Sequence, residues 1–68
     1  MIEIRVNGEA TSCPEGLNLV EMLEHLGYRP QLVVVEFNGL ILTPDRWADQ
    51  AVQDGDSLEI VTIVGGGS

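Results

Sequence analysis

The sequence has no lysine, one cysteine, one histidine and only three aromatic residues among its 68. Each scarcity excludes something. A lone Cys13 excludes an internal disulfide and any cysteine-rich zinc or iron–sulfur centre. The fixed cations are Arg5, Arg29 and Arg46 against eleven Asp and Glu, a net charge of −8. A phosphate backbone would be repelled, so nucleic acid is not an expected partner. The uninterrupted apolar runs fall far short of a membrane span, so no membrane partner is expected either. Glu3 and Arg5 interrupt the start of the chain and leave no pattern of a cleavable signal peptide. These exclusions point to a cytoplasmic protein. The acidic surface itself has two readings. It keeps a small protein soluble, or it steers the protein toward a basic groove on a partner.

What is present is a small apolar core. Hydrophobic residues make up 44% of the chain, too many for a disordered acidic chain and enough for one domain near the lower size limit for an unstapled core. In "MIEIRVNG", Ile2, Ile4 and Val6 alternate with polar residues, the period of a half-buried strand. Asn7-Gly8 is a hairpin signal, and "EATSC" reads as the returning strand, ended by Pro14 and Gly16. In "NLVEMLEHLG", Leu19, Met22, Leu23 and Leu26 recur at helical spacing, with Asn18 placed as N-cap, Glu21 as its capping-box partner and Gly27 at C′. "LVVVEFNG" from Leu32 reads as a well-buried strand turning at Asn38-Gly39, and "LILTP" as a short strand. "DRWADQAV" reads as a helical turn or irregular segment anchored by Trp47 and Val52. "QDGD" is a turn and "SLEIVTIV" the last strand.

The order ββαβ(β)β predicts an α+β fold with a mixed sheet of four to five strands and one main helix packed across it. That is the β-grasp of ubiquitin-like proteins. It divides the chain into a β-grasp domain over 1–64 and a flexible glycine tail over 65–68.

Catalytic constellations are wanting. Cys13 and His25 are the only plausible nucleophile and base, yet one sits at a strand end and the other on the polar face of a short helix, with no third residue to orient the imidazole. They read better as a small core-edge hydrophobe and a solvated helix residue, so no catalytic residue is assigned. Asp45/Asp49 and Asp54/Asp56 are carboxylate pairs without the further ligands of a calcium loop, and no metal site is assigned. The tail, "GGGS", is different. Three glycines span about 10 Å when extended and can thread a narrow channel into another protein's active site. A terminal carboxyl group would be the reactive centre there, once activated by transfer to AMP from ATP. The same tail also reads as a flexible linker unit or an engineered scar.

The stretches "MIEIRVNGE", "PEGLNLVEMLEHLG", "VVVEFNG", "LTPDRW" and "VQDGDSLEIVTIVGGG" together resemble the ThiS sulfur carriers of bacterial thiamine biosynthesis, nearly end to end. "DRW" ahead of "VQDGDSLEIV" and the glycine terminus separate it from the related molybdopterin-synthase small subunit. The resemblance implies a ubiquitin-like carrier, not an enzyme. Its last glycine carboxylate would be adenylated by an E1-like adenylating enzyme using ATP and Mg. Sulfur from cysteine, by way of a cysteine desulfurase, would convert it to a thiocarboxylate, and thiazole synthase would take that sulfur. The domain itself would bind no cofactor. Gly66 and Gly67 match the terminal Gly-Gly, with Gly67 as the sulfur-carrying residue, and Gly65 falls where the family often has another small residue. Gly65 and Gly66 would thread the partner's active site. Ser68 departs from the pattern by one residue. It fits a precursor trimmed before use, enzymes that tolerate the extension, or an engineered end. A molybdopterin-type carrier and a non-carrier β-grasp interaction module with an idle or engineered tail are the alternatives.

The last strand carries one further expectation. Regular alternation turns Leu58 and Ile60 inward and leaves Val61 and Ile63 on the side of Glu59, a candidate docking patch beside the tail. A bulge or covering loop burying both residues is the competing expectation.

Overall fold

The computed structural model describes residues 1–63. The tail and the domain boundary placed after residue 64 lie outside the described residues. Strands β1 (Ile2–Val6) and β2 (Glu9–Cys13) form the expected hairpin, and helix α1 (Leu19–His25) follows. A 3-10 turn over Pro30–Leu32 leads into β3 (Val33–Phe37) and β4 (Leu40–Leu42). A second 3-10 segment, Pro44–Asp49, precedes β5 (Ser57–Thr62). The sheet order is β2-β1-β5-β3-β4, so the last strand runs through the middle. β5 is parallel to β1 and antiparallel to β3.

Local chemistry sets the punctuation. Both Asn-Gly turns need positive φ at two successive positions, and both have it: Asn7 at 53° with Gly8 at 88°, Asn38 at 50° with Gly39 at 88°. The helix begins in a reciprocal capping box. The Glu21 N–H donates to Asn18 Oδ1 at 2.8 Å and the Asn18 N–H donates to Glu21 Oε1 at 2.9 Å. Such a cap contributes about 1 kcal/mol. Gly27 at φ 91° ends the helix as expected.

The core lies between α1 and one face of the sheet. Leu19, Met22 and Leu23 of the helix and Ile4, Val35 and Leu58 of the strands are all essentially inaccessible. Fully burying such a side chain contributes roughly 1.5–3 kcal/mol. Trp47 and Val52 are buried, as their anchor role requires, and the Trp47 indole N–H donates to the Leu42 carbonyl at 3.0 Å. Cys13 is a buried core residue and His25 is exposed.

One expectation needs correction. β3 is buried on one face only: Val33, Val35 and Phe37 face the core, while Val34 is 40% exposed and Glu36 points outward. A single helix covers a single face, and an antiparallel neighbour on each side leaves the other face open. Leu32 falls in the 3-10 turn and is itself exposed.

Candidate functional site at the root of the last strand

β5 is held in the sheet by three asparagine and aspartate side chains, two at its start and one at Ile60. The Ser57 N–H donates to Asn38 Oδ1 at 2.8 Å, and the Asn38 N–H donates to the Ser57 carbonyl at 2.8 Å. Asn38 Nδ2 also donates to Asp56 Oδ1 at 3.1 Å. On the other flank the Ile60 N–H donates to Asn7 Oδ1 at 2.7 Å. Each hairpin turn thus presents a carboxamide to the central strand. At the far end the Ile63 N–H donates at 2.6 Å to the carbonyl of Leu32, the last residue of the 3-10 turn that leads into β3.

The carboxylates of "QDGD" are occupied with the backbone. Asp54 Oδ1 accepts the Glu3 N–H at 2.8 Å and Asp56 Oδ2 accepts the Gln53 N–H at 2.7 Å. Among the described residues, no group of three or more His, Cys, Asp or Glu is placed to hold a metal ion. Asp45 has its carboxyl lowered, first by a hydrogen bond from the Thr43 side chain and then by its own backbone N–H. Burial pushes the Cys13 thiol up, the opposite of what an activated nucleophile needs. His25 and Cys13 are separated by environment, one in solvent and the other in the core.

Alternation holds along β5 as far as Val61. The strand ends at Thr62, which is itself exposed, so Ile63 is exposed as the residue just past the strand rather than as part of its alternation. Leu58 and Ile60 are 0% and 6% exposed, whereas Val61 is 63% and Ile63 53% exposed. Among the described residues no bulge or loop covers them. Register adds neighbours that the sequence did not suggest. Val61 stands directly opposite Val34, and Glu59 opposite Glu36, whose other neighbour is Ile41 on β4. Val34, Ile41 and Ile63 also line a groove of about 520 Å³ that reaches Trp47 and the two proline turns. An apolar strip therefore begins on the sheet face and continues to the root of the tail. The predicted tail residues Gly65, Gly66 and Gly67, and Ser68 beyond them, lie outside the described residues.

One helix held across a five-stranded mixed sheet, with the final strand at its centre, defines a ubiquitin-like β-grasp protein. Comparison with known sequences then narrows the class: the pattern of the ThiS family matches residues 4–67, and the chain belongs to that family. It is 32% identical over 66 residues to the sulfur carrier protein ThiS of Escherichia coli, covering 97% of this chain and 100% of that one. It is 37% identical over 67 residues to a thiazole synthase of Paramagnetospirillum magneticum, covering 98% of this chain but 21% of that longer protein. Among solved structures, the thiamine biosynthesis protein ThiS of Geobacter metallireducens superposes with a TM-score of 0.82 at 33% identity, over 97% of this chain and 100% of that one. Among the described residues no helix is long and apolar enough to cross a membrane.

Proposed function

We propose that this chain is the sulfur carrier that supplies thiazole synthesis in the making of thiamine, and that the reacting atom is on Gly67. The observation that carries the reading is the extent of the family match. It runs through the glycines and stops at Gly67, leaving Ser68 outside it. Hydrolysis of the Gly67–Ser68 peptide bond exposes the Gly67 carboxylate. An E1-like adenylating enzyme, using ATP and Mg, joins that carboxylate to AMP with release of pyrophosphate. The terminal sulfur of a persulfide supplied by the sulfur donor system, a cysteine desulfurase at its head, then displaces AMP to give an acyl disulfide. A thiol cleaves that disulfide, leaving the thiocarboxylate on Gly67 and a disulfide as the oxidised product. Thiazole synthase takes the sulfur from there.

The division of labour follows from the side chains. The domain offers no activated nucleophile, since its one thiol is buried and its pKa is raised. Partners supply the catalysis and the chain is their co-substrate. Two glycines without Cβ, Gly65 and Gly66, let the end approach a buried active site closely. Val61 and Ile63, both exposed, form the docking patch beside that arm. A ThiS-like segment inside a longer protein named thiazole synthase supports a working partnership between carrier and synthase. Every step uses soluble partners and ATP, which suits the cytoplasm.

ATP–pyrophosphate exchange by the adenylating enzyme tests the reading. The chain ending at Gly67 supports exchange, and the chain ending at Ser68 does so only after losing the serine. Equal failure of both ends would sink the carrier role.

A further inference from the structure

The outer face of the sheet holds a like-charge pair that the free protein has no use for. Glu36 and Glu59 stand directly opposite one another on β3 and β5, and Val34 and Val61 do the same two residues along. Directly opposed residues share a face, and like charges so placed disfavour the pairing. All four positions are exposed. Among the described residues the single ion pair joins the Met1 ammonium to Glu15, so no cation relieves the two carboxylates. Arg5 lies on β1, where its guanidinium donates to the Gly8 carbonyl at 3.3 Å. The face therefore carries an apolar rung and an acidic rung, about 7 Å apart along the strands.

We propose that this two-rung patch recognises a protein surface that presents an aliphatic or aromatic side chain and, about 7 Å from it, an arginine whose guanidinium forks between Glu36 and Glu59. The planar fork with several N–H donors suits two carboxylates held a strand spacing apart better than a lysine point charge does. Charge complementarity selects the occupant. A second copy of this chain, with its own net charge of −8, would set one acid pair against another. The inference rests on the carrier reading in one respect, since it takes the adenylating enzyme as the protein that brings the arginine. It adds a polar half to the Val61 and Ile63 patch and names what that half selects.

The two states respond to the acid pair with opposite signs. In the free chain, Glu36→Gln or Glu59→Gln removes a repulsion and raises the urea midpoint. In the complex, the same change removes a charge-assisted hydrogen bond, weakens binding about tenfold and flattens its salt dependence. The measurement is titration calorimetry of the full chain and of the chain ending at Gly67 against the purified adenylating enzyme of its own organism at two salt concentrations, with urea unfolding of each variant and ATP–pyrophosphate exchange by the chain ending at Gly67 alongside. Weaker binding with a raised urea midpoint supports the proposal. An affinity within about twofold of the unchanged chain, while exchange proceeds, overturns it and leaves the carrier reading standing. A lowered midpoint also overturns it, because the pair would then be part of the fold's own support. If neither end of the unchanged chain binds or supports exchange, both readings fall together.

Discussion

Asn7 is the position where a turn signal and a tertiary bond coincide, and its replacement separates the two. β1 meets β5 through only two register pairs, Arg5 with Ser57 and Val6 with Leu58. The Asn7 carboxamide extends that short ladder by accepting the Ile60 N–H at 2.7 Å, in a partly buried position. Asn7→Gly keeps the positive φ and removes the acceptor. An orphaned N–H at such a site costs about 1–3 kcal/mol. Asn7→Ala adds the left-handed penalty of a Cβ, about 1–2 kcal/mol more. Asn7→Asp keeps an acceptor oxygen and should stay near the parent at neutral pH. A chain of 68 residues has a total stability of roughly 3–10 kcal/mol, so the alanine variant approaches unfolding. Urea titration followed by the fluorescence of Trp47, the only tryptophan and a buried one, reads all three variants. The expected order is Asn near Asp, then Gly, then Ala. A glycine variant within about 0.5 kcal/mol of the parent, or an aspartate variant as weak as glycine, would refute the bond's role.

Further predictions concern the core, the thiol and the patch. Leu23→Ala, at a fully buried helix position, should cost about 2–5 kcal/mol and leave a substantial unfolded fraction in urea-free buffer, read by the same fluorescence. Cys13 should resist a thiol reagent in the native state, and its labelling rate should track unfolding across a urea series. Because burial raises the Cys13 pKa, its stabilising contribution is complete below the pKa of the unfolded thiol and is lost as pH rises through the folded one. The urea midpoint should therefore fall in alkali more steeply for the parent than for Cys13→Ala. Replacing exposed Val61 and Ile63 with serine should weaken binding of the adenylating enzyme while changing the unfolding free energy from urea titration by no more than about 0.5 kcal/mol. Loss of folding in that variant would make them structural.

What the sequence disclosed was governed by range. The Asn-Gly turns, the Asn18–Glu21 capping box and the Gly27 stop depend on a few consecutive residues, and each appears where its chemistry requires. Trp47 and Val52 stand out as apolar side chains in a polar stretch, and both are buried. The run "VVV" could not show its own exposure. Whether Val34 faces water depends on what covers the second face of the sheet, a question for the whole chain. The same holds for the Glu36–Glu59 rung and for the carboxamides of Asn7 and Asn38 on β5, which depend on strand register across long sequence separations. Alternation did place Val61 outward, but it missed the end of the strand at Thr62, past which Ile63 is exposed, and gave no sign of Val34 and Ile41 beside them.

The central claim is that sulfur travels on the carboxyl group of Gly67. Chains ending at Gly67 and at Ser68 are incubated with the adenylating enzyme, MgATP, cysteine, the cysteine desulfurase system and a thiol reductant, and their C-terminal peptides are examined by mass spectrometry. The account predicts a sulfur-for-oxygen mass increase on the peptide ending in Gly67, absent when ATP is omitted. An unmodified Gly67 end, or the same increase on a peptide that still carries Ser68, would contradict it.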